Sequence, residues 1–263
     1  MKLSEIDKQD IVKLSEIHKQ SEIAIMYGIS QTTVFKILKD NNVKRKRNRL
    51  NLSRLAIDFN YFDNIDCGTK AYWLGFISAD GCLKGGKLRV TSKDLDILEK
   101  LKSDLKSDHA ITVNKSIHKK TKKEYVSYIL QITNSAFTSK LTKFIPQDKS
   151  NNFNIPAINK ELYPYFIAGM VDGDGSFSVN SKGQIKASII STKECLQQIQ
   201  DYLFVSLNIK KTTLQNITKN GNVWKLFVYS SSKEFLEFIY SDSNKNIYLK
   251  RKQEKLKNMF INT

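Results

Sequence analysis

The sequence predicts an α+β protein in which one supersecondary unit is used twice, behind a small all-helical module. Three observations carry this. A ten-residue, mainly apolar segment occurs twice, as Tyr72-Trp73-Leu74-Gly75-Phe76-Ile77-Ser78-Ala79-Asp80-Gly81 and as Phe166-Ile167-Ala168-Gly169-Met170-Val171-Asp172-Gly173-Asp174-Gly175. Each copy is followed by a strand end and an amphipathic helix: Val90-Thr91-Ser92-Lys93-Asp94 with Leu95, Leu98, Leu101 and Leu105, then Ile190-Ser191-Thr192-Lys193-Glu194 with Leu196, Ile199 and Leu203. The residues before the first copy are helical in pattern and then strongly basic. Later strands pair off around Tyr125 to Thr133 and Val223 to Tyr229, so each half reads helix, hairpin, helix, hairpin, helix. The expected division is 1–43 helical, 44–66 basic linker, 67–153 first repeat and 154–263 second repeat.

In the N-terminal module, Ile6, Ile11, Val12, Leu14 and Ile17 recur at helical spacing. A short second helix runs from Ser21 to Met26, and Ser30 is placed to cap a third that begins at Gln31. Ala24 lets the second and third helices approach, and Gly28 supplies a turn with positive φ. The stretch Ser21 to Val34 resembles the helix-turn-helix of resolvases and many repressors. In that arrangement Ile23, Ile29, Val34 and Leu38 form the core, and Gln31, Thr32, Thr33 and Lys36 face a DNA major groove. A plain helical hairpin has the same apolar spacing, but not the small residue, glycine and cap in register. Lys44, Arg45, Lys46, Arg47 and Arg49 follow directly and are placed to track phosphates or enter a minor groove.

The composition agrees with such a partner. The chain of 263 residues carries a formal charge of +17, which favours a polyanion. The membrane alternative lacks any apolar run approaching the ~20 residues that span a bilayer, and Met1 to Asp7 is mixed in charge with no signal-peptide stretch. Cys67, Cys82 and Cys195 stand far apart, and His18, His109 and His118 add no metal-ligand spacing, so neither a disulfide framework nor a zinc site is expected. The expected setting is a reducing cytoplasm, bacterial or phage-encoded, with an organelle as the other option.

The repeated segment carries the chemistry. Thr69 is placed to cap the first motif helix, and Pro164 suits the first turn of the second. Tyr72, Trp73, Leu74, Phe76 and Ile77 leave the first motif helix no polar stripe, so it should be buried nearly all round. Gly75 and Ala79 are four apart, as are Gly169 and Gly173, a spacing that lets two helix backbones touch. Gly81 and Gly175 are expected as left-handed caps. Asp80 and Asp174 then fall in the last turn of each helix, facing the negative dipole end at a cost of about 0.3–1 kcal/mol and repelling one another. A hard divalent cation beside them offsets both costs; Mg²⁺, or Mn²⁺, takes oxygen ligands and keeps positions open for water and phosphate.

At these residues the sequence resembles the LAGLIDADG homing endonuclease family, over approximately residues 68–263. The resemblance implies two pseudosymmetric αββαββα repeats whose motif helices form the central interface. It implies saddle-shaped antiparallel sheets laid on double-stranded DNA, with metals bound by Asp80 and Asp174. It further implies hydrolysis of both strands across the minor groove with short 3′ overhangs, by a monomer that needs no protein partner. The family also places a basic residue near each active centre; Lys149, in Ile145-Pro146-Gln147-Asp148-Lys149-Ser150, and Lys252, in Leu249-Lys250-Arg251-Lys252-Gln253, match, to polarise water or stabilise transition-state charge. Phosphate contact or a solvated surface is the alternative for each. Ser92 and Thr192 match positions near bound solvent.

In the strand Gln184 to Ile189, the residues Ile185, Ala187 and Ile189 take one face, and Gln184, Lys186 and Ser188 the other, with Lys186 and Ser188 as DNA contacts. The sixth motif position is Ser78 in one copy and Asp172 in the other, which points to asymmetry between halves. Two further readings compete with cleavage. One is a non-catalytic regulator joining a helix-turn-helix to a LAGLIDADG-like domain, whose acids are typically lost. The other is an RNA maturase that helps an intron fold.

Overall fold

Both motif segments are helices that end on their acid, α4 over Gly68–Asp80 and α7 over Tyr163–Asp174. In the computed structural model the described residues are 3–16, 18, 20–43, 55–117, 122–180, 183–219, 221–241 and 247–261. They form two compact units, Met1–Asn51 and Leu52–Thr263.

The first unit has three short helices, α1 (Glu5–Leu14), α2 (Gln20–Met26) and α3 (Gln31–Asp40). Ser4 and Asp7 form a capping box that starts α1. Ser30 Oγ accepts from the Thr33 amide at 3.1 Å, capping α3 as the sequence predicts, and Gly28 turns the chain between α2 and α3 at φ +59°. The core is Ile11, Ile23, Ala24, Val34, Ile37 and Leu38, with Ile29 partly buried against it. Ile6, counted with the apolar stripe, is instead 72% exposed. Ile17, from the same stripe, lies outside the described residues.

The second unit repeats one order of elements. After α4 come β1 (Gly81–Lys84), β2 (Lys87–Ser92), α5 (Leu95–Asp104), β3 (Ile111–Ile117), β4 (Glu124–Thr133) and α6 (Ser135–Leu141). A 3-10 turn at Lys160–Leu162 leads into α7, followed by β5 (Ser176–Val179), β6 (Ile185–Ser191), α8 (Lys193–Leu207), β7 (Gln215–Asn216), β8 (Trp224–Val228) and α9 (Ser232–Ile239). The helix α10 (Lys250–Ile261) follows and was not anticipated from the sequence. Each half makes an antiparallel four-stranded sheet of the same order, β1-β2-β4-β3 and β5-β6-β8-β7. Strand alternation points one face inward: Leu88 opposite Ile132 and Val90 opposite Leu130 in the first sheet, Ala187 opposite Val228 and Ile189 opposite Leu226 in the second.

The two halves share a single core around α4 and α7. Ile57 and Phe62, placed by the sequence in a connector, are buried in it, and the Asp58 amide donates to the Leu105 carbonyl at 2.8 Å. Residues 55–66 therefore belong to the core because two large apolar side chains lie there among polar ones.

Small residues set the contact between α4 and α7. A Cβ added at Gly75 would lie 2.0 Å from the Phe166 carbonyl oxygen, one at Gly169 2.1 Å from that of Tyr72, and one at Gly173 2.4 Å from Cβ of Ala79. Two expectations for the helix ends fail. Cys67, not Thr69, holds the N-cap position of α4, with no side-chain cap bond. Gly81 (φ −82°) and Gly175 (φ −87°) are extended, because the chain runs straight from each helix into a strand. Both positions lack room for a side chain, since an added Cβ would meet Ile77 O at 2.5 Å and Val171 Cα at 2.6 Å. Gly75→Ala and Gly169→Ala are each expected to destabilise the protein by at least about 1–3 kcal/mol through overpacking against backbone. Urea denaturation checks this; wild-type stability in either variant would mean the helices separate easily.

Candidate functional site

The parallel run of α4 and α7 delivers both acids to one end of the pair. The Asp80 carboxyl carbon lies 3.5 Å from where a Cβ on Gly173 would stand, so Asp80 sits against the residue preceding Asp174. Asp80 is half-buried and Asp174 more exposed. Burial, and next the charge of Asp174, push the Asp80 carboxyl up to about 6; Lys149 and Lys252 oppose that rise. Asp174 is raised too, by its packed surroundings, against the pull of the same two lysines. The four residues named from the sequence thus form one cluster.

The lysines do something the sequence did not reveal. Lys149, in the turns after α6, donates from Nζ to the carbonyls of Ser78 (2.6 Å), Ala79 (2.6 Å) and Ile77 (3.3 Å). Lys252, in the first turn of α10, donates to the carbonyls of Asp172 (2.9 Å), Gly175 (2.8 Å) and Val171. Each ammonium has three N–H donors, and all three are used on carbonyls at the end of a motif helix, where those of Ile77 and Val171 also accept the Gly81 and Gly175 amides. Both lysines are therefore C-terminal caps, with their charge at the negative end of a helix dipole. Burial lowers each to about 8 against the attraction of nearby carboxylates.

Asp172 accounts for the position of Lys252. It is buried, and its carboxylate accepts from Tyr72 Oη (2.7 Å), Tyr240 Oη (2.6 Å) and the Leu249 amide (2.9 Å). Burial raises its pKa while these bonds oppose the rise. The carboxylate ties α4, the end of α9 and the start of α10 to α7. Sequence reasoning missed Tyr72, Tyr240 and Leu249 in this role. One signal was present, because where Asp172 replaces Ser78 between the copies, Tyr72 replaces Phe166. The equivalent pair is not joined, as the Ser78 hydroxyl donates to the Leu74 carbonyl of its own helix (2.7 Å).

Other expected residues fall in different places. Gln31, Thr32, Thr33 and Lys36 are exposed on the first turns of α3, in the N-terminal unit. Lys44, Arg45, Lys46, Arg47 and Arg49 lie outside the described residues. Lys186 is on the outward face of β6, over the rings of Phe227 (4.1 Å) and Tyr229 (5.2 Å). Ser188, expected on that open face, is only 4% exposed and shares a hydrogen bond with Ser176 (3.0 Å), because the neighbouring strands close over it. Thr192 is likewise buried; its hydroxyl accepts from the Cys195 amide and donates to the Phe153 carbonyl, so it caps α8 and does not face solvent. Ser92 is half-buried and accepts from the Asp94 amide at 3.1 Å.

Among the described residues no three His, Cys, Asp or Glu side chains come together as a metal cage. A cation here would have Asp80 and Asp174, brought together at the ends of α4 and α7, as its side-chain ligands. That sparse, hard donor set fits Mg²⁺, which is commonly held by one or two carboxylates with water and phosphate completing its shell.

The family model described as LAGLIDADG-like domain matches residues 69–146 and 161–241, one segment for each repeat. The chain belongs to this LAGLIDADG-like family. Its fold is that of the LAGLIDADG homing endonucleases. It is similar to the homing endonuclease I-WcaI bound to its DNA recognition sequence, at 14% identity and TM-score 0.52, over 75% of this chain and 90% of that one. It is also similar to full-length DUF199/WhiA from Thermatoga maritima (18% identity, TM-score 0.46, 77% and 64% covered). A third similar structure is the LAGLIDADG meganuclease I-AabMI bound to uncleaved DNA (15% identity, TM-score 0.43, 72% and 87% covered). No curated protein matches the chain.

Because the Asp80 pKa is higher in the folded chain than the ordinary 3.8, the folded state holds more protons between about 4 and 6. The contribution of Asp80 to stability therefore falls as pH rises through that window. Without divalent metal, Asp80→Asn is expected to be more stable than wild type above pH 7, with the gap closing as pH falls toward 4. Denaturation in chelator at a series of pH values checks this; a pH-independent gap would mean that the acid is not held against its charge.

Proposed function

We propose that this LAGLIDADG-like protein is a site-specific DNA endonuclease that breaks both strands of a long target by divalent-metal-dependent hydrolysis, leaving short 3′ overhangs. The observation that carries this reading is the pairing of Asp80 and Asp174 at two touching helix ends, where helix dipole, mutual repulsion and burial all oppose their charge. Stability alone does not account for two such acids in one place.

Bound Mg²⁺ or Mn²⁺, held by Asp80 and Asp174, supplies Lewis-acid activation of water and of a scissile phosphate. The chain's own residues do the rest. Lys149 and Lys252, with every N–H engaged by backbone, act through their charge: they offset the two carboxylates and the two dipole ends, and they favour a phosphate gaining negative charge in the transition state. This narrows the sequence-based role, since direct proton transfer by either ammonium would first require breaking its cap. Asp172 positions Lys252 through the Leu249 amide. The outward sheet faces hold the flanking DNA. In the N-terminal unit, α3 with Gln31, Thr32, Thr33 and Lys36 reads a major groove at one end of the target, and the basic run Lys44 to Arg49 neutralises phosphates there. The two motif helices pair within one chain, so one monomer serves both strands.

Asp80→Asn or Asp174→Asn is expected to abolish double-strand cleavage in Mg²⁺ while binding in Ca²⁺ persists. The assay is cleavage and mobility shift on a target recovered by selection from randomised duplexes. Wild-type cutting by either variant would remove the metal assignment, and a wild-type chain that binds but never cuts would leave a non-catalytic DNA-binding protein.

The N-terminal unit should add footprint but no chemistry. A chain starting near Leu50 is expected to cut with the same overhang, at higher protein concentration or lower salt. Its binding should be less salt-dependent, by about 0.9 in log–log slope for each phosphate that the basic run neutralises. An unchanged footprint and slope would refute this placement of the basic run.

A further inference from the structure

Each lysine beside the acid pair sits on a segment that is fastened to the other repeat. Lys252 is in the first turn of α10, in the second repeat, and the residue before it reaches into the first. Arg251 donates from Nε to both carboxylate oxygens of Asp94 at 3.3 Å, and from Nη2 to Oδ2 at 3.1 Å. Asp94 holds the N-cap position of α5, where an aspartate ordinarily accepts an amide of the first turn, yet its side chain makes no cap bond. The carboxylate goes to the guanidinium of the opposite repeat instead. A planar fork held by one carboxylate fixes direction as well as distance.

Lys149 shows the converse. Upstream, the buried Ile145 ties it to its own repeat, the Ile145 amide donating to the Leu141 carbonyl at 3.0 Å. Downstream, the chain is held by the second repeat. Asn222 Nδ2 donates to the Asn151 carbonyl at 2.9 Å, and the Thr192 hydroxyl donates to the Phe153 carbonyl. Asn222 is itself set against the start of α8, donating to Glu194 at 2.8 Å and accepting from the Lys193 amide at 3.3 Å. Thr192 is the N-cap of α8, as Asp94 holds that position on α5. The same place in each repeat, the entry to the helix after the first hairpin, thus grips the segment that carries the other repeat's lysine.

A lysine stem is long and flexible, so three simultaneous bonds to carbonyls require the backbone beneath it to be fixed. We infer that each repeat positions the lysine of the other. Asp94 of the first, through Arg251, sets Lys252 at the end of α7; Asn222 and Thr192 of the second set Lys149 at the end of α4. These are positioning residues, acting through the lysines. A repeat that shifts on its half of a target carries with it the lysine of the opposite half, which couples the two centres. The consequence for strand cleavage rests on the endonuclease reading above; the placement of the lysines does not.

The placement is tested on the full-length chain without metal or DNA. The protein is exposed briefly to an amine-acylating reagent at neutral pH, and acylation of each lysine is measured by mass spectrometry, with thermal melting of every variant alongside. Asp94→Asn and Arg251→Gln should each raise the reactivity of Lys252 by about two- to fivefold, the size a partly exposed ion pair can supply, and leave Lys149 unchanged. Asp94→Glu, which keeps the carboxylate, should return Lys252 toward wild type. Asn222→Ala should raise Lys149 by a similar factor and leave Lys252 unchanged. No rise in either lysine, or an equal rise in both, overturns the inference. In Mg²⁺, single-turnover cleavage with the two strands labelled separately carries the test to function. Asp94→Asn should slow mainly the strand that Lys252→Met slows, and Asn222→Ala mainly the strand that Lys149→Met slows. Equal slowing of both strands overturns the coupling. A wild-type chain that never cuts overturns the endonuclease reading, and the acylation result still decides the placement.

Discussion

Gly75 and Gly169 leave α4 and α7 in backbone contact, and the rest of the second unit is arranged around that fact. With a carbonyl 2.0–2.1 Å from where each Cβ would be, there is no room for any other residue at either position. Helices that close cannot be cushioned by side chains, so their ends are fixed relative to one another to within the tolerance of packed backbone. The two sheets hang from those ends through Gly81 and Gly175, which pass directly from helix to strand. Contact between two helices therefore sets both the spacing of the acids and the seating of each sheet.

The same contact creates an electrostatic problem. Two dipole ends and two carboxylates converge, and burial removes much of the water that would screen them. Lys149 and Lys252 answer it from outside the motif, each capping the helix to which its own repeat belongs. Their three-carbonyl geometry engages backbone acceptors in the last turn of each helix, among them those of Ser78, Ala79 and Asp172. The lysines remain desolvated, which is why their pKa values fall to about 8. Near neutral pH the cluster carries opposing charges held at close quarters, and neither pair relieves the other completely.

Much of this was legible in the residues. The motif copies gave the two helices, their glycines and their acids, because close packing restricts side-chain size at fixed spacing. The alternation of helix and hairpin in each half and the N-terminal helices followed from period and capping residues, while the order of strands within each sheet came only with the structure. What could not be read depended on contacts far apart in sequence. That Lys149 and Lys252 bond to carbonyls is invisible in composition, since any backbone offers the same acceptor. That Thr192 and Ser188 are buried follows from which neighbours cover them, not from strand alternation, which places a residue on a face without saying whether the face is open. The burial of Ile57 and Phe62 was masked by the polar residues around them.

Joining two repeats in one chain frees each to diverge where the other does not constrain it. The helix contact allows little divergence, and there the copies agree: glycine faces backbone on both sides. One layer outward they already differ, as Tyr72 reaches Asp172 while Ser78 bonds within its own helix. A symmetric dimer could not hold this arrangement without placing an acid and a tyrosine in both copies, which would bury a second carboxylate near the first. On the sheets the divergence is wider still: Arg89 and Gln131 meet across the first sheet, while the second has Gln215 opposite Lys225, with Lys186 and Lys225 held against aromatic rings. Constraint thus falls off with distance from the helix pair: identical spacing at the contact, unequal hydrogen bonding beside it, and different surface chemistry at the sheets.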